Sequence, residues 1–171
     1  CPGSGPRALA APGATRRRFV WPEASSPGAP GPLPPLRDLA LSLSRLGRTE
    51  EALATLPQGA RTAPYFSLVG ALVLARAGEH ERARETLDSV DLAQAAALAD
   101  GITSGWVRVQ PLAAATLVTL GDRDGAIELL EQAQMEDPWV LIYDRCCPEL
   151  SLLESDPRYR HLLHKTGVVV D

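Results

Sequence analysis

Asparagine is absent from this chain of 171 residues, and Lys165 is the single lysine among 17 basic residues. The first absence removes every N-glycosylation acceptor. The second, in a chain rich in Ala, Leu, Gly and Pro, reflects GC-rich coding rather than a function. Aromatic residues make up only 5%, so a core has to be built mainly from Leu, Ala and Val. The three cysteines, with Cys146 and Cys147 adjacent, make no disulfide framework. No apolar run approaches the ~20 residues that cross a bilayer. Basic residues are not in excess. The net charge of -4 argues against a general nucleic-acid binder, which needs surplus Lys and Arg to displace counterions.

What is present divides unevenly. Nine of the 15 prolines and five glycines lie in residues 1–35, with no periodic apolar run. Such a stretch cannot bury enough surface to offset its chain entropy, and it reads as a disordered tail or linker. Phe19, Val20 and Trp21 form one short apolar island in it. The tail carries Arg7, Arg16, Arg17 and Arg18 against Glu23, a charge of +3, which leaves -7 for residues 36–171. Three consecutive arginines at 16–18 are few for an anionic surface and read as solvated. An amino-terminal Cys1 before a Pro/Gly/Ser tether fits a mature lipoprotein; truncation of a longer chain explains the same residue.

Residues 36–171 read as helix. Apolar residues at 36, 39, 40, 43 and 46 follow the i, i+3, i+4, i+7 pattern of one helix face. Gly47 stops that helix, and Thr49 is expected to cap the next one as far as Leu56. Similar pairs are expected at Tyr65–Ala77 with His80–Val90, and at Val109–Leu120 with Arg123–Glu136, each divided by a glycine. A last helix is expected from Asp156, with Pro157 in its first turn. The Val140–Tyr143 run alone looks strand-like.

Aligning Gly47, Gly78 and Gly121 exposes an internal repeat. Alanine follows five positions later (Ala52, Ala83, Ala126) and leucine nine later (Leu56, Leu87, Leu130). Leucine precedes by four (Leu43, Leu74, Leu117) and alanine by seven (Ala40, Ala71, Ala114). An unrelated bundle would show this register only by coincidence. The pattern resembles the tetratricopeptide repeat, a helix–turn–helix unit, over about 36–138, most closely at Pro111–Pro138. The unequal spacing places an insertion at Asp91–Gly105, with a short extra helix at Leu92–Leu98. Asp137-Pro138-Trp139, Leu152-Leu153, Ser155-Asp156-Pro157-Arg158-Tyr159, Leu162-Leu163 and Gly167-Val168 resemble the closing segment of bacterial tetratricopeptide proteins, in which the repeats follow a kinase, winged-helix or cyclase domain.

The resemblance implies an all-α superhelix with repeats at about 33–60, 64–91 and 107–138 and a cap over 139–171. In the cap, Leu152, Leu153, Tyr159, Leu162 and Leu163 should cover the open end, and Trp139 should pack at the junction. It implies a protein–protein interaction module, the C-terminal part of a cytoplasmic signalling or regulatory protein. The alternative is a Cys1-anchored periplasmic lipoprotein that assists envelope assembly. In the family the first helix of each pair lines a groove. Carried over, the groove residues are Arg37, Arg45, Tyr65, Leu72, Arg76 and Arg108, with Asp38, Leu68, Val69, Leu112, Ala115 and Thr119 beside them. Arginine grips carboxylates through paired hydrogen bonds, so the expected partner is an acidic protein or peptide lying over an apolar floor of Tyr65 and Leu72; the equal alternative is that these arginines pair with neighbouring acids of the chain such as Asp38. Self-association remains open.

Little else carries chemistry. His161 and His164 share a helix face without the companions of a metal motif, and Asp122 with Asp124 suits a helix cap. Cys146 and Cys147 read as one exposed and one buried thiol. The early glycines precede no strand–helix unit that would cradle phosphate. No catalytic constellation is legible, so no enzymatic activity, metal or cofactor is expected.

Overall fold

Three helices end on glycine in the same left-handed backbone conformation. The computed structural model describes residues 33–57, 63–103, 109–138, 140–141 and 147–166. In it Gly47, Gly78 and Gly121 have φ of 72°, 81° and 85°, where a Cβ would crowd the following carbonyl. Each glycine N–H donates to the carbonyl three residues back, at Ser44, Ala75 and Val118. The next N–H reaches five back, from Arg48 to Leu43, Glu79 to Leu74 and Asp122 to Leu117. These paired bonds satisfy carbonyls that a helix end leaves open. The leucine four positions before each glycine supplies the longer-range acceptor.

The same three residues start the following helices. Ala52, Ala83 and Ala126 donate their N–H groups to the carbonyls of Arg48, Glu79 and Asp122. The N-cap of the second helix is therefore Arg48, not the expected Thr49, and it makes no side-chain cap bond. Its guanidinium pairs instead with Glu51, Nε donating to Oε1 at 2.7 Å. Asp122 does cap, as expected: its Oδ1 accepts from the Gly125 N–H at 3.0 Å.

These junctions define three helix pairs: α1 (Leu33–Arg45) with α2 (Thr49–Ala54), α3 (Ala63–Arg76) with α4 (His80–Asp88), and, after α5 (Leu92–Thr103), α6 (Gln110–Thr119) with α7 (Arg123–Glu136). A 3-10 turn at Pro148–Leu153 precedes α8 (Pro157–Lys165). The chain is all-α, with no strand among the described residues. Helix α1 begins three residues before the expected Leu36. Pro34 and Pro35 fall in its first turn, where the missing N–H groups would have had no intrahelical partner. The insertion helix α5 is longer than expected, and the Asp91 carboxylate accepts from the Gln94 N–H at its start. Val140 and Leu141 lie in a 3-10 turn rather than a strand. Expectations at Cys1, Arg16–Arg18, Phe19–Trp21, Arg108, Trp139 and Cys146 concern positions outside the described residues.

Alanine at the six repeat positions is fully buried: Ala40, Ala71 and Ala114 in the first helices, Ala52, Ala83 and Ala126 in the second. Small side chains there let α1, α3 and α6 pack in succession, with α2 against α3 and α4 against α6. Helix α3 is central. It packs on α1, α2, α4, α5 and α6, and from Tyr65 to Ala75 only Ser67 is not buried. A helix apolar on all sides has to be enclosed on all sides.

Helix α8 closes the far end against α7. The Gln134 side chain donates to the Leu162 carbonyl at 2.9 Å, and Leu153, Tyr159, Leu162 and Leu163 are buried. Leu152 departs from the expected cap, since it is 58% exposed. The 3-10 turn repeats every three residues, so it buries Leu150 and Leu153 and turns Leu152 outward. Asp156 caps α8, accepting from the Arg158 N–H at 2.8 Å, and Arg158 also bridges to Asp124 of α7.

Two stability outcomes follow. Gly78→Ala places a Cβ in open space but forces alanine into the left-handed region. It should lower unfolding free energy by about 1–2 kcal/mol in urea titration, with helix content unchanged. The second concerns acid. The Arg158 side chain first, and its backbone N–H second, hold the Asp156 carboxyl below its usual range. A depressed folded-state pKa stabilises above the unfolded value of about 3.9 and is lost as pH falls through the folded value. Asp156→Asn keeps a capping side chain and removes the titration. Its melting temperature should therefore fall less steeply than the parent's between about pH 5 and about pH 2.

Candidate partner-binding face

The residues expected to line a groove come from α1, α3 and α6, and the structure brings the described ones onto adjoining helices. It buries the apolar ones. Tyr65 is 2% exposed and Leu72 0%, so neither is a floor that a partner could touch; this corrects the expectation of an apolar groove. Leu68, Val69, Leu112 and Ala115 are buried as well. The Thr119 hydroxyl donates back to the Ala115 carbonyl at 2.8 Å.

The chain covers this face itself. Helix α5 packs on α3 and α1, and the Pro148–Leu153 turn packs on α6. Ala95 of α5, Cys147, Leu150 and Leu153 are buried in the same core. The sequence argument placed the insertion helix correctly along the chain but did not assign it to this face.

The polar groups at the covered face are unusual. Arg76, in the last turn of α3, meets Glu149 of the 3-10 turn. Nε donates to Oε1 at 2.7 Å, Nη2 lies 2.6 Å from the same oxygen, and Nη1 reaches the Leu41 carbonyl at 3.4 Å. Both side chains are nearly buried, at 10% and 15% exposure. Nη2 is poorly aimed, and neither it nor Glu149 Oε2 has a hydrogen-bond partner among the described residues. The acid that Arg76 faces belongs to the same chain, as in the alternative in which these arginines pair with acids of their own chain.

At the opposite end of α3, burial pushes the Tyr65 phenol up to about 12, against the pull of the Arg37 guanidinium. Arg37 pairs with its neighbour Asp38, Nε to Oδ1 at 2.8 Å. Arg45 projects into solvent. Of the expected arginines, then, Arg45 is exposed, Arg37 and Arg76 are engaged, and Arg108 lies outside the described residues. Glu149 and Leu150 were missed as occupants of this face and Leu153 was expected only in the cap, although leucines three apart suit one side of a 3-10 turn.

Two further clefts are open. One, of about 250 Å³, lies among α2, α3 and α4 and is lined by Leu53, Leu56, Phe66, Gly70 and Arg82. The other, of about 460 Å³, lies between α7 and α8 beside Met135, His161 and Lys165. His161 and His164 are both exposed. No group of three or more His, Cys, Asp or Glu able to hold a metal occurs among the described residues. No described helix is long and apolar enough to cross a membrane.

Comparison with family models, curated proteins and solved structures yields no match.

Removing one partner of a nearly buried pair strands the other charge. Glu149→Ala should destabilise by about 3–5 kcal/mol, whereas Arg76→Met with Glu149→Leu should cost far less. Urea unfolding of Arg76→Met, Glu149→Leu and the variant carrying both measures the coupling directly.

Proposed function

We propose that this chain is a protein-interaction module of tetratricopeptide-like helix pairs stacked as a superhelix. It acts by binding rather than by catalysis, as the C-terminal part of a bacterial signalling or regulatory protein. The observation that carries the reading is the equivalence of the three pairs. Each joins its helices through the same left-handed glycine and the same pair of backbone bonds. The first helices α1, α3 and α6 adjoin in order, and the second helices α2 and α4 each lean on the first helix of the next pair. That is how a solenoid unit buries an apolar face it cannot bury alone.

The partner is an acidic peptide segment taken on the α1–α3–α6 face, with arginine as its anchor. The Arg76–Glu149 pair supports this choice, because it displays the chemistry that this face accepts. Charged anchors of this kind add specificity and slow dissociation once they are desolvated.

A peptide array of acidic, neutral and basic segments, probed with the whole chain, tests the reading. Acidic segments should be retained. Replacing Arg108 with alanine and the Arg76–Glu149 pair with Met and Leu, which strands no buried charge, should weaken their binding by about 1–3 kcal/mol while helix content is preserved. An array without binders, or binding that this variant leaves unchanged, would contradict the proposal.

A further inference from the structure

We infer that Cys147–Leu153 is an internal ligand that covers the α6 side of the α1–α3–α6 face and engages Arg76 of α3, and that the partner displacing it carries a glutamate followed by spaced leucines. This inference rests on the interaction reading above and specifies its ligand. The segment supplies an acid and two apolar anchors within six residues. Glu149 meets Arg76, and Leu150 and Leu153 are fully buried where the turn packs on α6. A short amphipathic segment seated by an acid and leucines is one of the recurring forms of peptide recognition.

The contact is also poised to exchange. Among the described residues, Glu149 Oε2 and Arg76 Nη2 are buried without hydrogen-bond partners; both Arg76 contacts fall on Oε1, so the internal pair leaves the second carboxylate oxygen unused. A peptide presenting both carboxylate oxygens to the guanidinium would satisfy what Glu149 does not. The segment's own backbone contributes little: a 3-10 turn has poor hydrogen-bond geometry and seldom extends further than this. Its hold lies in the Glu149, Leu150 and Leu153 side chains with the buried Cys147 beside them, and in one outside grip, from Arg123 on the Leu152 carbonyl. Beyond the turn, the Asp156-capped α8 is fixed to α7 by the Arg158–Asp124 pair. Release can thus be local, with α8 kept in place.

A competing internal ligand lowers apparent affinity in proportion to the fraction of chains with the face free. The probe is a fluorescein-labelled peptide Pro-Glu-Leu-Ser-Leu-Leu-Glu, measured by fluorescence polarisation with the full chain. The variant Glu149→Arg/Leu153→Ser weakens the internal contact. It should bind the probe at least about ten-fold more tightly than the parent, and a probe with glutamine for its first glutamate should lose about ten-fold. Equal binding by parent and variant, with helix content intact, overturns the inference. Should the variant not fold, hydrogen exchange of the parent decides. Excess probe should accelerate exchange at the Leu150 amide and leave Leu72 and Val73 protected, whereas unchanged exchange at saturating probe overturns the inference. The two readings fail differently. Acidic array peptides that bind parent and variant equally refute the internal ligand alone, and peptides that bind neither refute the interaction module itself.

Discussion

The structure depends on the enclosure of α3. Its described side chains are apolar on every side from Tyr65 to Ala75, with Ser67 the half-buried exception, so each flank requires a neighbour. Stacking of helix pairs supplies α1, α2, α4 and α6, and the insertion helix α5 covers what remains. The six alanines set how near those neighbours can come. A larger side chain at Ala71 or Ala83, both fully buried, would push helices apart that the surrounding leucines are shaped to join.

Enclosure has a functional consequence. The face that a repeat array would leave open is closed by elements of the same chain, α5 over α1 and α3 and the Pro148–Leu153 turn over α6. The two covers differ in kind. Beneath the turn lies a charge pair left partly unsatisfied, and the turn is held by few backbone bonds. Arg76 is thus both a structural residue and the anchor that we assign to a partner, and any binding there competes with the chain's own glutamate.

Much of the framework was legible in the sequence because its causes are local. A glycine in the left-handed region, a leucine four residues earlier and an alanine five later recur at 47, 78 and 121, and the backbone bonds show why each is needed. The cap at Asp122 and the start of α8 at Pro157 were legible for the same reason. Thr49 was misplaced by one residue because the residue that completes the glycine turn also starts the next helix. The covered face was not legible. Periodicity shows that Leu72 and Leu112 must be buried but not by what, and Glu149 lies 73 residues from Arg76. Tyr65 and Leu72 were therefore expected on an open floor, although the apolar residues all around α3 were themselves a sign that it would be surrounded.

The seating of Cys147 tests the central claim most directly. Its side chain is buried, at 5% exposure, at the start of the segment that covers the face. In a chain carrying Cys1→Ser and Cys146→Ser, maleimide modification of Cys147 should run at least about 100-fold slower than in the urea-unfolded chain. Modification as fast as in the unfolded chain, with helix content intact, would mean that the segment does not occupy the face, and the account of a self-covered binding surface would be wrong.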